Sequence, residues 1–135
     1  MKPFVVLDTN IFISAILYGG NPRKIVNLAI SEAIEVCLSF ELLDELVRVL
    51  QDKFALNSFE IDTIISEIKD FAEIVTPRLR LQVVKKDPDD NKVLECALEV
   101  KAKYIVSGDK HLLNLGGFRN IKIVNPAEFL RIIKK

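Results

Sequence analysis

The run Phe4-Val5-Val6-Leu7-Asp8-Thr9-Asn10 decides the fold class of this chain. Its four apolar residues suit a strand buried on both faces, and the polar triplet behind them opens a helix. A strand feeding directly into a helix is the first unit of an open α/β sheet. In such sheets ligands bind just beyond the carboxyl ends of the strands, which is where Asp8 falls.

Outward from that unit the alternation continues. A short apolar helix near residues 10–17 ends at Gly19-Gly20, and Pro22 lies in the first turn of a helix through about Glu32. Glu35-Val36-Cys37-Leu38 reads as a second strand, and Ser39 can cap a helix to about Phe54. Asn57 with Glu60 is a capping-box signature for a helix to about Phe71, followed by an extended stretch from Glu73 to Thr76. Residues 78–86 read as a connection containing a strand, and Asp87-Pro88 opens a helix to about Lys101. Tyr104–Val106 and Lys122–Val124 are strands, Asp109–Leu113 a short helix, and Pro126–Ile133 a closing helix. Strands spaced by helices predict a three-layer α/β/α sandwich with a mostly parallel central sheet, in one domain spanning residues 1–135.

Composition narrows the function. The 19 basic and 19 acidic side chains cancel, so bulk charge attracts no polyanion, and any nucleic-acid affinity must come from local patches or bound cations. The sequence has no run of about 18 apolar residues to span a bilayer and no signal peptide, which predicts a cytoplasmic protein without a membrane partner. Cys37 and Cys96 read as small core residues in a reducing compartment. With His111 the single histidine, a His/Cys zinc site and a paired-histidine ribonuclease are disfavoured, and an oxygen-ligand metal remains.

Four acids stand out. Asp8 could serve as part of a helix cap, but Thr9 and Asn10 already offer capping groups, leaving its carboxylate to project from the strand end. Glu45 shares the shoulder of an amphipathic helix with Leu42 and Val49, beside a main stripe of Leu43, Leu46, Val47, Leu50 and Phe54. It either reaches inward at the rim of the core or sits in solvent paired with Arg48. At the next helix start Asp87 can cap and Asp89 faces the edge, whereas Asp90 shares the core side with Val93, Leu94 and Ala97. A carboxylate on an apolar face is costly unless paired or metal-bound. Asp109 follows Tyr104-Ile105-Val106-Ser107-Gly108; alone it would read as a helix cap, but two strand-end acids in one parallel sheet can face one crevice, with Ser107 in hydrogen-bond reach.

Clustered carboxylates repel one another and partly protonate unless a cation holds them. Mg²⁺ and Mn²⁺ prefer hard oxygen ligands, and one or a pair of such ions can activate water and stabilise an in-line displacement at phosphorus. The expectation is metal-led phosphodiester chemistry.

The motifs Asp8-Thr9-Asn10, Glu45-Leu46-Val47-Arg48-Val49-Leu50, Asp87-Pro88-Asp89-Asp90-Asn91-Lys92-Val93-Leu94 and Ser107-Gly108-Asp109-Lys110-His111-Leu112-Leu113 together resemble the PIN-domain family. The likeness extends to the closing Ile123-Val124-Asn125-Pro126-Ala127-Glu128-Phe129-Leu130, and points to the VapC-like branch of toxins from toxin–antitoxin pairs. It implies that Asp8, Glu45, Asp90 and Asp109 bind Mg²⁺ or Mn²⁺ and support cleavage of single-stranded RNA. Thr9, Asn10 and Asn91 match supporting positions; Ser107 stands where many relatives carry Thr. The resemblance further implies a homodimer and a small antitoxin protein lying over the active-site groove.

Lys85 and Lys86, with Arg48, Lys53 and Lys110, could bind the phosphates of a single-stranded or structured RNA, although balanced charge favours an ordinary solvated surface. The Ile61-Ile64-Ile65-Ile68-Phe71 stripe reads as core, with a subunit or antitoxin interface as the other use. Rival functions are an RNA-processing nuclease without a toxin role, a non-catalytic PIN-like module, and a phosphohydrolase. An aspartyl-phosphate mechanism of the haloacid-dehalogenase kind would want a second Asp where Asn10 stands.

Overall fold

A computed structural model describes residues 2–81 and 90–134. The chain enters through β1 (Phe4–Leu7), α1 (Thr9–Leu17), α2 (Gly20–Ile30), β2 (Glu35–Ser39), α3 (Phe40–Asp52), α4 (Ser58–Phe71) and β3 (Ala72–Val75). It continues through α5 (Asp90–Val100), β4 (Tyr104–Val106), α6 (Lys110–Leu115), β5 (Gly117–Phe118), β6 (Ile121–Val124) and α7 (Pro126–Ile133). The six strands form one sheet in the order β3-β2-β1-β4-β6-β5, parallel throughout except for β5 against β6. Helices flank it, as the alternation predicts.

The consecutive burial of Val5, Val6 and Leu7, and of Val36, Cys37 and Leu38, fits strands covered on both faces. Cys37 and Cys96 are free thiols inside this core, and burial pushes both up to about 12, so neither is a thiolate at neutral pH. Tyr104 and Phe129 meet edge to face at 5.5 Å between ring centroids and tie β4 to α7.

The caps expected at Ser39 and at Asn57 with Glu60 are present, and α7 has a further one at Asn125. Ser39 Oγ accepts from the Leu42 amide at 3.1 Å, Asn57 and Glu60 form the reciprocal capping box, and Asn125 accepts from the Glu128 amide. Of the predicted stripe on α4, Ile61 and Ile68 are buried, while Ile64, Ile65 and Phe71 pack against the core in part.

Two features differ from expectation, the β5–β6 pair and the stripe on α3, and a third expectation is covered only in part by the described residues. The pair β5–β6 is a hairpin whose turn residues, Arg119 and Asn120, have φ of 46° and 71°. Two left-handed residues in succession suit the twist of a tight hairpin, but a two-residue strand is too short to leave a periodic signal. Of the connection expected to contain a strand, residues 78–81 are described and none of these four is in a strand. They are held instead by acids: Arg78 pairs with Glu99, and Arg80 with Glu41 and with the buried Glu95, which also accepts from the Leu81 amide at 2.8 Å. The rest of that connection, with the Asp87-Pro88 helix start, lies outside the described residues. On α3 the apolar stripe is centred nearer Leu42 than expected: Leu42, Leu46 and Leu50 are fully buried, while Val47 is only partly so.

Candidate active site

Strand order sets the place. β2 and β3 lie on one side of β1, and β4, β6 and β5 on the other, so the sheet changes direction of growth between β1 and β4. The crevice outside the carboxyl ends of two such strands is the usual ligand site of an open α/β sheet. Leu7 is in register with Val106, and the Asp8 amide donates to the Val106 carbonyl at 3.0 Å, so the next residues, Asp8 and Ser107, emerge side by side.

Ser107, fully buried, donates its hydroxyl to Asp8 Oδ2 at 2.8 Å and accepts from the Asp109 amide at 2.9 Å. One hydroxyl thus fixes one carboxylate and the backbone of another. Asp8 occupies the N-cap position of α1, but its carboxylate makes no capping bond. Thr9 does not cap in its place, as the sequence suggests it would; its hydroxyl donates to Glu45 Oε2 at 3.0 Å and lies 3.5 Å from Asp8 Oδ1. Glu45 therefore reaches inward from α3, as the stripe centred on Leu42 allows, and Arg48 is exposed.

Asp90 is only 6% exposed in the first turn of α5, with Asn91 buried beside it. Asp109 fills both of its candidate roles: Oδ1 caps α6 by accepting from the His111 amide at 2.7 Å and the Leu112 amide at 3.4 Å, while the carboxylate stays at the crevice. The resulting tight first turn brings His111 back over the acids, with Nδ1 3.7 Å from Asp109 Oδ1 and 4.0 Å from Asp90 Oδ2. Sequence reasoning set His111 aside because it has no second histidine; the available signal was its position two residues after a strand-end Asp.

Contacts thus run from Glu45 through Thr9 to Asp8, through Ser107 to Asp109, and past His111 to Asp90. Burial raises the Asp8 carboxyl above its ordinary value; the Ser107 hydrogen bond opposes the rise and the Asp109 charge adds to it. A buried carboxylate under that pressure, among further acids, is a fit place for a divalent cation. The ligand atoms of Asp90, Asp109 and His111 all lie within 4.8 Å of one another, and the carboxylate oxygens are the hard donors Mg²⁺ and Mn²⁺ prefer.

Of the remaining expected residues, Asn10 is exposed, and Lys110 is exposed beside Asp109. Arg48 lines an open groove of about 410 Å³ with Glu41, Asp44, Val47 and Lys92, the last a cation that the sequence reading did not single out. Asp87, Lys85 and Lys86 lie outside the described residues.

The family model of the PIN domain matches residues 4–111, which contain this whole constellation. The chain belongs to the PIN-domain family. An uncharacterised protein of Methanocaldococcus jannaschii is 33% identical over 148 aligned positions, covering all of this chain and 94% of the relative. Among solved structures, a chain of the VapBC2 complex from Rickettsia felis, crystallised with a DNA fragment from its promoter, superposes with a TM-score of 0.65 at 17% identity, covering 90% of this chain and 98% of that one. The PIN domain of T. brucei RRP44 superposes with a TM-score of 0.52 at 13% identity, over 97% of this chain and 80% of that one. At these identities the two likenesses establish the shared PIN fold. No helix among the described residues is long and apolar enough to cross a membrane.

Proposed function

We propose that this PIN domain is a metal-dependent endoribonuclease acting on single-stranded RNA, and the toxin of a type II toxin–antitoxin pair. The observation that carries the nuclease reading is the linked set of acids at the β1/β4 crevice, tied together by Ser107 and Thr9. Asp8, Asp90 and Asp109 would hold the cation, Mg²⁺ or Mn²⁺, with Glu45 at its edge. When bound, such an ion supplies a nucleophile from water at neutral pH and offsets negative charge on the reacting phosphate.

The chain's own residues do the rest. Ser107 orients Asp8 and the Asp109 backbone, and Thr9 holds Glu45 toward the crevice, so the ligands are set before the substrate arrives. Arg48, Lys92 and Lys110, with Lys85 and Lys86, would receive flanking phosphates, giving RNA a local attraction that the neutral whole lacks. The toxin reading rests on the VapC-like motifs and on the likeness to a chain of VapBC2. A small antitoxin covering the crevice, a homodimer and a cytoplasmic location belong to the same proposal.

Purified wild type and Asp90→Asn are to be incubated with a mixed-sequence single-stranded RNA in Mn²⁺, in Mg²⁺ and in EDTA. Cutting by wild type alone, abolished by EDTA, is the expected result. Metal binding without cleavage of any single-stranded RNA would count against the substrate, and absence of metal binding would overturn the nuclease reading itself.

A further inference from the structure

We infer that His111 is a direct ligand of the active-site cation, giving the site a mixed oxygen and nitrogen donor set that selects Mn²⁺ over Mg²⁺. The inference rests on the metal-nuclease reading above and adds a residue to it. Its basis is the spacing of three side chains. His111 Nδ1 stands 3.7 Å from Asp109 Oδ1 and 4.0 Å from Asp90 Oδ2, both too long for hydrogen bonds. A divalent ion about 2.1 Å from each donor separates neighbouring donors by about 3.0 Å and opposite donors by about 4.2 Å. The two separations from His111 fall between those limits, and all three ligand atoms lie within 4.8 Å of one another, so side-chain rotation of a few tenths of an ångström to about 1 Å would bring them onto one ion.

Backbone placement makes the arrangement repeatable. Asp109 Oδ1 accepts from the His111 amide, which sets the start of α6, and the fully buried Leu112 pins the following residue to the core. His111 is itself 43% exposed at its side chain, leaving room for the ring to turn. Both ions prefer oxygen, but Mn²⁺, a transition ion, accepts one imidazole nitrogen among oxygen donors more readily than the harder Mg²⁺ does, even though it stands lowest in the first-row affinity series. A site of carboxylates only would lack that discrimination.

Because the chain contains one histidine, an imidazole signal can be assigned without ambiguity once any affinity tag is removed. The test is pulsed electron paramagnetic resonance of the full-length protein loaded with Mn²⁺, together with calorimetric titration of Mn²⁺ and Mg²⁺ into wild type and His111→Gln. Expected are ¹⁴N modulations of the Mn²⁺ echo in wild type, their replacement by a ¹⁵N pattern after histidine labelling, and their loss in His111→Gln. The variant should bind Mn²⁺ at least about tenfold more weakly, the lower end of what disturbing a metal site's surroundings costs, with Mg²⁺ affinity changed much less. Mn²⁺ bound to wild type without nitrogen coupling would overturn the inference and leave the nuclease reading standing. Failure of wild type to bind Mn²⁺ would overturn both.

Discussion

Ser107 and Asp8, 99 positions apart in the chain, are joined by a 2.8 Å hydrogen bond at the end of the β1–β4 pair, with the serine fully buried. The same hydroxyl accepts from the Asp109 amide. Removing it by Ser107→Ala strands an acceptor and a donor at a buried place, which should cost about 1–3 kcal/mol. Ser107→Thr keeps the hydroxyl and should preserve metal affinity, with any loss coming from fitting one extra methyl. Urea unfolding and Mn²⁺ titration of both variants check this; equal behaviour of Ala and Thr would mean that the hydroxyl does not organise the site.

Asp8→Asn and Asp90→Asn should each abolish metal-dependent cleavage while retaining the fold, since both remove a charged donor and keep side-chain shape. In metal-free buffer both variants should be at least as stable as wild type, because each relieves repulsion among acids. RNA cleavage assays with melting curves in EDTA give the two readouts. Full activity in either pure variant would refute the site.

The raised Asp8 carboxyl makes apo stability depend on pH in a defined direction. Below the unfolded-state value, near pH 4, the group is protonated in both states and carries no ionisation penalty. As pH rises through its higher folded-state value, the native state must ionise a buried acid or hold a proton that the unfolded chain has released, and stability falls. Asp8→Asn lacks that loss, so its stability advantage in EDTA should grow from acid to neutral pH. Denaturation midpoints of the two proteins across that interval measure it; a constant gap would mean that Asp8 titrates alike in both states.

Glu95 offers a test away from the acids of the crevice. It is buried on α5 and accepts from both Arg80 and the Leu81 amide, while Arg80 also meets Glu41 on α3. Glu95→Ala leaves the Leu81 amide without its acceptor and should destabilise by about 1–3 kcal/mol. Glu95→Gln keeps an acceptor oxygen and should lose less. If residues 78–81 are held chiefly by this carboxylate, amide exchange at Leu81 should accelerate far more in the Ala variant than in the Gln variant.

Legibility in the sequence followed the strength of the local signal. The alternation of strands and helices, the capping box at Asn57 and Glu60, and the core-facing placement of Asp90 all follow from periodicity and cap chemistry, and the structure has them. What escaped depends on contacts between distant segments. Thr9 reads as a helix cap because nothing local reveals that Glu45 will arrive 3.0 Å from its hydroxyl. His111, with no second histidine in the sequence, carries no local sign of a site, yet its neighbours in the fold are carboxylates. The two residues of β5 were too few to show a period, and Arg80 and Glu95 meet across 15 positions with no motif to announce them.

The in-step pairing of Val5, Val6 and Leu7 with Tyr104, Ile105 and Val106 carries an evolutionary consequence. Side chains alternate across a strand, so adding or deleting one residue between Phe4 and Asp8 would turn the carboxylate to the opposite face of the sheet and break its bond to Ser107. The same change in an exposed connection would leave both strand ends where they are. Indels should therefore be tolerated in the loops of this lineage and purged from two short stretches, 4–8 and 104–109, whose residue count matters as much as their chemistry.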